Sequence, residues 1–334
     1  MSDPFNAAAD AGLPTVAEAL DAERAAAQLK RHLPRLSGTE GVLKLKAIRV
    51  IQHKPGKRCV IEYDVRQKVG GVKGDKLTLI GKIRARRSGN EGFRQLEMIW
   101  NAGFDAHSAD GIAVPEPLGV ISEFKMWCQR KVPGEVSIRL LTGPEDVGLA
   151  RRIAEAIHKL HRANLPTERV HTMTDELRIL RECFDKTAAQ RPDWAGRLAR
   201  LMTACEKLGA SVPTPNACGI HRDFYSSQVI VDGDRLWLID FDLFCLGDPG
   251  LDVGNFLGHV IEHSLREKGD TDAFRDVTRA MEERFVELSG NRVRPAVRAY
   301  TTLTLARHVY LSTQFSDRRH TTEKLMELCE QRLA

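Results

Sequence analysis

GIHRDFYSSQVIVDGDRLWLIDFDLFCLGDPGLD, residues 219–252, decides how the rest of the chain is read. It opens on His221-Arg222-Asp223, and Gln228 follows five residues after that acid. Two apolar runs come next, Val229 to Val231 and Leu236 to Ile239, with Asp232-Gly233-Asp234 between them. Gly accepts the positive φ of a tight turn, so the pattern predicts a hairpin. The hairpin delivers a second acid, Asp240, at its far end. Two carboxylates and an amide oxygen are thereby expected to converge.

That donor set suits phosphoryl transfer. One Asp can orient an attacking hydroxyl and take its proton, while an amide oxygen and a second Asp are hard ligands for Mg²⁺. Protein kinases carry His-Arg-Asp, four residues, Asn, then Asp-Phe-Gly. Here the same order reads His221-Arg222-Asp223, Gln228, Asp240-Phe241-Asp242. Strand-end caps and turns would account for any one of these residues, but not for the ordered set.

With Gly247-Asp248-Pro249 and Asp252 added, the stretch resembles the aminoglycoside phosphotransferase and choline kinase family, small-molecule kinases of the protein-kinase-like fold. No Ala-Pro-Glu follows Asp240, unlike a protein kinase. Gln228 departs from the Asn usual in the family; it keeps the amide oxygen on a side chain one methylene longer. The resemblance is specific over 219–252, looser over 40–315, and implies an α+β, two-lobe fold: a small antiparallel-sheet N-lobe and a large, mainly helical C-lobe.

Upstream, an Ala-rich helical pattern runs from Thr15 to Leu33, after a disordered 1–13. Strands are expected at Leu43–Gln52, Cys59–Gln67 and Lys76–Arg86, with Gly70-Gly71 turning the chain between the last two. The Pro55-Gly56 turn, flanked by Lys54, Lys57 and Arg58, reads equally as a phosphate-covering loop or a solvated basic tip. A helix follows at Asn90–Ala102, ended by Gly103. Two further strands lie near Leu118–Ser122 and Lys125–Lys131, before Val132-Pro133-Gly134. From about Gly143 the pattern turns helical, with Asp146–Ala163 the most regular segment. The lobes are expected to divide as 14–131 and 132–334.

The resemblance assigns roles. Lys82 contacts the nucleotide α- and β-phosphates, and an acid on the next helix holds it. Phe93, Leu96 and Trp100 place Glu97 nearer the packing face, whereas the resemblance favours Glu91. Gln129, Lys131 and Val132 would offer backbone groups to adenine, Asp240 and Gln228 would bind Mg²⁺, and Asp223 would be the catalytic base. Asp248 would brace the catalytic loop; Asp252 would do the same or cap the next helix. His161 reads as structural, as do His259, His263, Arg307, His308 and Tyr310. Asp242 is left between a metal-side role, a substrate contact and a surface turn.

The composition is compatible with this. Lys plus Arg is 50 against 45 Asp plus Glu, an interspersed excess of +5 that lacks the concentrated basic face of a nucleic-acid binder. Seven cysteines without a Cys-x-x-Cys pair imply reduced thiols. No signal peptide is evident, and no run approaches the ~18 apolar residues of a membrane span, so a cytoplasmic protein is expected. The reading is an ATP- and Mg²⁺-dependent phosphotransferase acting on a hydroxyl of a small polar molecule. Its alternative is a catalytically weak or inactive kinase-like nucleotide-binding protein.

Overall fold

The computed structural model describes residues 1–33, 36, 42–69, 72–85 and 89–334. The chain forms two compact units, Met1–Pro133 with Trp237–Phe241, and Gly134–Leu236 with Asp242–Ala334.

The first unit opens with helices α1 (Thr15–Leu20) and α2 (Ala22–His32). A single helix over 15–33 is not what forms. Asp21 adopts an extended conformation and its carboxylate accepts the Arg24 N–H at 2.8 Å, starting a second helix one residue after the first ends. Residues 1–13 are also ordered rather than disordered. Asp3 accepts from the backbone of Ala7 and Ala8, Ser2 bridges to Arg49, and Ala7 and Leu13 are buried.

Strands β1 (Val42–Lys54), β2 (Arg58–Val69) and β3 (Val72–Arg84) follow, then helix α3 (Gly89–Asn101). The short β4 (Ile112–Ala113), β5 (Pro117–Ile121) and β6 (Met126–Arg130) complete the set. Five of these strands make one antiparallel sheet in the order β1-β2-β3-β6-β5. Alternation along β2 sends Ile61, Tyr63 and Val65 into the core with Leu29 and Leu33. On the opposite face Glu62 and Asp64 pair with Arg49. The expected Gly70-Gly71 turn and Arg86 lie outside the described residues. Gly103 ends α3 with φ 88°, as its position predicted.

The second unit carries β7 (Glu135–Val136), α4 (Val147–Arg162), α5 (Met173–Gln190) and α6 (Ala195–Ser211). Then come β8 (Cys218–Ile220), β9 (Val229–Asp232), β10 (Arg235–Leu238), whose last residues return to the first unit, and β11 (Cys245–Gly247). Helices α7 (Pro249–Lys268), α8 (Arg275–Ser289), α9 (Arg294–Thr313) and α10 (Thr322–Leu333) finish it. Gly233 turns the chain from β9 into β10 with φ 56°. Gly250, Gly254 and Gly258 stand at four-residue spacing along α7. A Cβ on any of them would come within 2.7 Å of Ala296, Tyr300 or Thr304 on α9. The two helix backbones therefore approach closely, which brings α9 side chains to the loop before β9.

All seven cysteines carry free thiols. Among the described residues, no helix is long and apolar enough to cross a membrane.

Candidate active site

In the first unit, β3 sends Lys82 toward the returning segment Trp237–Phe241. Its Nζ lies 3.3 Å from Asp240 Oδ1 and 5.0 Å from the centre of the Trp127 ring, its register partner on β6. The Arg84 guanidinium reaches the same carboxylate oxygen at 4.0 Å. Asp240 has φ 64°, a left-handed conformation that Asp tolerates better than most residues. Its side chain is 27% exposed, against 12% for Lys82. A carboxylate with two cations beside it and one side open can accept a further cation together with the anion it carries.

Sequence reasoning missed Gln95 of α3, whose Nε2 donates to the Phe241 carbonyl at 2.9 Å and so fixes the backbone immediately after Asp240. The only available signal was its spacing: Gln95 lies four residues, about one turn, after Glu91, so both share a helix face. Glu91 sits exposed in the first turn of α3, while Glu97 is half-buried. A Cβ on Gly92 would meet Trp127 Nε1 at 2.6 Å, so the first turn of α3 rests on the ring that underlies Lys82.

The backbone groups of segment 129–132 are partly committed elsewhere. Gln129 is buried within β6, facing Ile80 and Pro117. Lys131 spends its backbone N–H on Thr78 O at 2.9 Å and its ammonium on Glu62 at 2.5 Å. Lys131 therefore lacks a free backbone donor. Val132 N–H makes no backbone hydrogen bond to the described residues.

In the second unit, the loop after β8 holds Asp223 half-buried, two residues past His221, which is fully buried. Arg222 has φ 69°, an uncommon conformation for a long side chain, worth roughly 1–3 kcal/mol of strain. Asp252 compensates. It is fully buried, and its two oxygens accept the N–H groups of His221 (2.8 Å) and Arg222 (2.7 Å), while His161 Nε2 lies 2.8 Å from Oδ2. Asn255 Nδ2 donates to Phe224 O at 2.9 Å, and Arg307 holds the Asn255 amide oxygen at 2.7 Å. Asp223 is thus bracketed by backbone held from α7.

Asp248 departs from the bracing role expected of it, and Asp252 takes the first of its two expected roles. Asp248 caps α7, accepting the Gly250 N–H at 2.8 Å, and Asp252 braces the loop. The reason is register. Asp248 precedes Pro249 at the helix start, while Asp252, one turn in, points back at the loop. Burial raises the Asp248 carboxyl above its ordinary range, offset in part by that amide. Asp242 accepts an Arg169 hydrogen bond at its carbonyl. Gln228 is buried, with its backbone N–H bonded to Tyr225 O, and its side-chain amide has no hydrogen bond among the described residues.

A model of the phosphotransferase enzyme family matches residues 93–299, well over half of the chain. The chain therefore belongs to that family of phosphotransferases, the small-molecule kinases with a hydroxyl acceptor that its sheet-bearing N-lobe and helical C-lobe also resemble. Among solved structures, a choline/ethanolamine kinase family protein from Mesorhizobium loti is 15% identical at a TM-score of 0.56, covering 93% of this chain and 94% of that one. A spectinomycin phosphotransferase, solved with ADP and spectinomycin, is 12% identical at 0.56, covering 92% and 94%. An ethanolamine kinase from Plasmodium vivax is 12% identical at 0.52, covering 86% and 82%. At these identities the likeness is one of fold. No curated protein sequence matches the chain.

Proposed function

We propose that this protein transfers the γ-phosphate of ATP, with Mg²⁺, to a hydroxyl of a small polar molecule: a sugar, an aminoglycoside or an amino alcohol. The observation that carries this reading is the Lys82–Asp240 pair at 3.3 Å, a β3 cation meeting the carboxylate of the Asp-Phe-Asp segment. ADP bound to the spectinomycin phosphotransferase supports nucleotide use.

The residues present fit the metal. Mg²⁺ is commonly held by one or two carboxylates plus substrate phosphates, not by an all-protein cage. Asp240, partly open, and Gln228, its amide oxygen unspent, supply hard oxygen donors of that kind. When bound, Mg²⁺ neutralises charge developing on the transferred group. Lys82 places the α- and β-phosphates. Glu91 is our choice over Glu97 to hold Lys82, because the first turn of α3 rests on Trp127 and the Gln95 face reaches Phe241. Gln129 lines the adenine end through its burial in β6. Val132 N–H is the donor to the adenine edge, with the Lys131 carbonyl its neighbouring acceptor. Asp223 accepts the acceptor hydroxyl's proton, and Asp252 keeps the loop in place for it. Positioning and charge neutralisation carry the rate.

The test is a panel of sugars, aminoglycosides and amino alcohols assayed for ADP release. One acceptor class should give turnover that Asp223→Ala abolishes while nucleotide binding persists. Retained turnover in that variant, or no nucleotide binding by the wild type, refutes the assignment. Binding without turnover on any acceptor favours the inactive, nucleotide-binding alternative.

A further inference from the structure

Within the first unit, residues 2–12 run beside the outer edge of β1 and end against the turn that joins β1 to β2. Ser2 exchanges backbone hydrogen bonds of 2.9 Å with Ile48 and Val50 on that edge. Asp10 reaches the turn itself. Its Oδ2 accepts the Gly56 N–H at 2.7 Å and lies 2.8 Å from His53 Nε2, while its Oδ1 accepts the Gly12 N–H at 2.9 Å. The Asp10 and His53 side chains are only 10% and 7% exposed. A Cβ on Gly12 would stand 2.6 Å from Gly56 Cα, so the two backbones touch. The Gly56 amide, with His53, holds the Asp10 carboxyl below its ordinary range, and the group is charged at neutral pH.

The turn has no amide left for a ligand. Pro55 has no N–H, that of Gly56 is on Asp10, and that of Lys57 is on the Lys54 carbonyl at 2.9 Å. What the turn can present is side chains. Cys59 and Ile61 point into the core, so Arg58 lies on the other face of the sheet, with Lys82. Register makes Lys54, Arg58 and Arg84 one rung across β1, β2 and β3. That rung stands two residues, about 7 Å, from the one that carries Lys82. Like charges side by side on a sheet disfavour one another. Farther along the same face Arg49 and Lys131 are neutralised by Glu62 and Asp64. Here Arg84 has Asp240 at 4.0 Å, and neither Lys54 nor Arg58 has an acid within ion-pair distance among the described residues.

We propose that Asp10 is a positioning residue for nucleotide binding: it holds the β1–β2 turn so that Arg58, beside Arg84, meets the phosphates that Lys82 contacts. The proposal rests on the phosphotransferase reading above. Asp10 works from the face away from Lys82, because His53 is the register partner of the core residue Cys59. Lys54, next in the strand, points to the opposite side. On its other flank the turn is tied to β3 by the Ala85 N–H on the Lys57 carbonyl at 3.0 Å. Loss of Asp10 therefore loosens the turn without releasing it.

Calorimetric titration of the full chain with ATP and Mg²⁺, and separately with adenosine, tests this. Four proteins are compared: wild type, Asp10→Ala, Arg58→Gln and the double variant. Each single substitution should weaken ATP binding by roughly 5- to 20-fold, the scale of one charge-assisted contact, and leave adenosine affinity unchanged. The double variant should lose less than the product of the two factors, since both act on the same contact. Gly12→Ala keeps the carboxylate but forces Gly56 aside, so it too should weaken ATP and not adenosine, and it stands in for Asp10→Ala should that variant not fold. Unchanged ATP affinity, equal loss of ATP and adenosine, or factors that simply multiply overturn the positioning role and leave the phosphotransferase reading standing. A wild type that binds no ATP overturns that reading and this one with it.

Discussion

Asp252 Oδ1 accepts the backbone N–H of Arg222 at 2.7 Å, although Arg222 sits in the left-handed region with φ 69°. The same carboxylate takes the His221 N–H and faces His161 Nε2, so a residue 30 positions downstream holds the backbone that presents Asp223. Asp252→Ala removes three contacts at once, leaving a buried imidazole and two amides unsatisfied. A loss of ~3–5 kcal/mol is expected, as for breaking a buried charged pair. Urea denaturation should show it as a lowered midpoint. Asp252→Asn, which keeps the size but not both acceptors, should fold better and still lose phosphotransfer. Full activity in Asp252→Asn would show that the loop needs no such brace.

Lys82 and Asp240 face each other at 3.3 Å within the first unit, and their substitution should separate two properties. Lys82→Ala removes a cation from phosphate oxygens, an interaction worth ~1.5–3 kcal/mol, or roughly 10- to 100-fold in nucleotide affinity. Asp240→Ala should instead make nucleotide binding insensitive to added Mg²⁺. Fluorescent-nucleotide titrations with and without Mg²⁺ distinguish the two. Identical Mg²⁺ dependence in wild type and Asp240→Ala would remove Asp240 from the metal.

Gln95 gives a narrower prediction. Its hydrogen bond to the Phe241 carbonyl is a single neutral contact, so Gln95→Ala should cost only ~0.5–1.5 kcal/mol of stability. Asp240 would then be less well fixed, and the KM for nucleotide should rise more than kcat falls. Glu91→Gln should raise the nucleotide KM in the same way, and Glu97→Gln should not. The reverse order would transfer the Lys82 partner to Glu97.

These residues also show what could be read in advance. The hairpin, the strands of the N-terminal sheet and the succession of helices beyond residue 143 follow from local turn chemistry and apolar periodicity, and each expected segment overlaps an observed one. Contacts made at long range did not follow. Gln95 meets Phe241 across 146 positions, and nothing near either residue announces it. Asp248 caps α7 where a brace was expected, because either acid can cap a helix and only the start of α7 at Pro249 decides which one does. The ordered N-terminus has the same origin. Residues 1–13 are held by Asp3 and by Ser2 against Arg49, pairings with no local periodic signature.

His308 supplies a prediction for pH. It is buried on α9, neither of its ring nitrogens has a partner among the described residues, and its ring meets His259 edge-on at 4.5 Å. Burial, reinforced by the Arg307, Arg318 and Arg266 charges, pushes its pKa down to about 3, and burial likewise lowers that of His259, whose ring stacks on Tyr225. The folded chain refuses a proton that the unfolded chain takes up below pH ~6.5. Stability therefore falls as pH drops through that value and continues to fall toward pH 3, by a few kcal/mol at most from this residue. Urea midpoints measured at pH ~7.5 and ~5 should differ clearly for the wild type and by less for His308→Leu, which has no proton to gain at that position while His259 still has one. An unchanged pH dependence in that variant would mean that His308 is protonated, or reaches water, in the folded state.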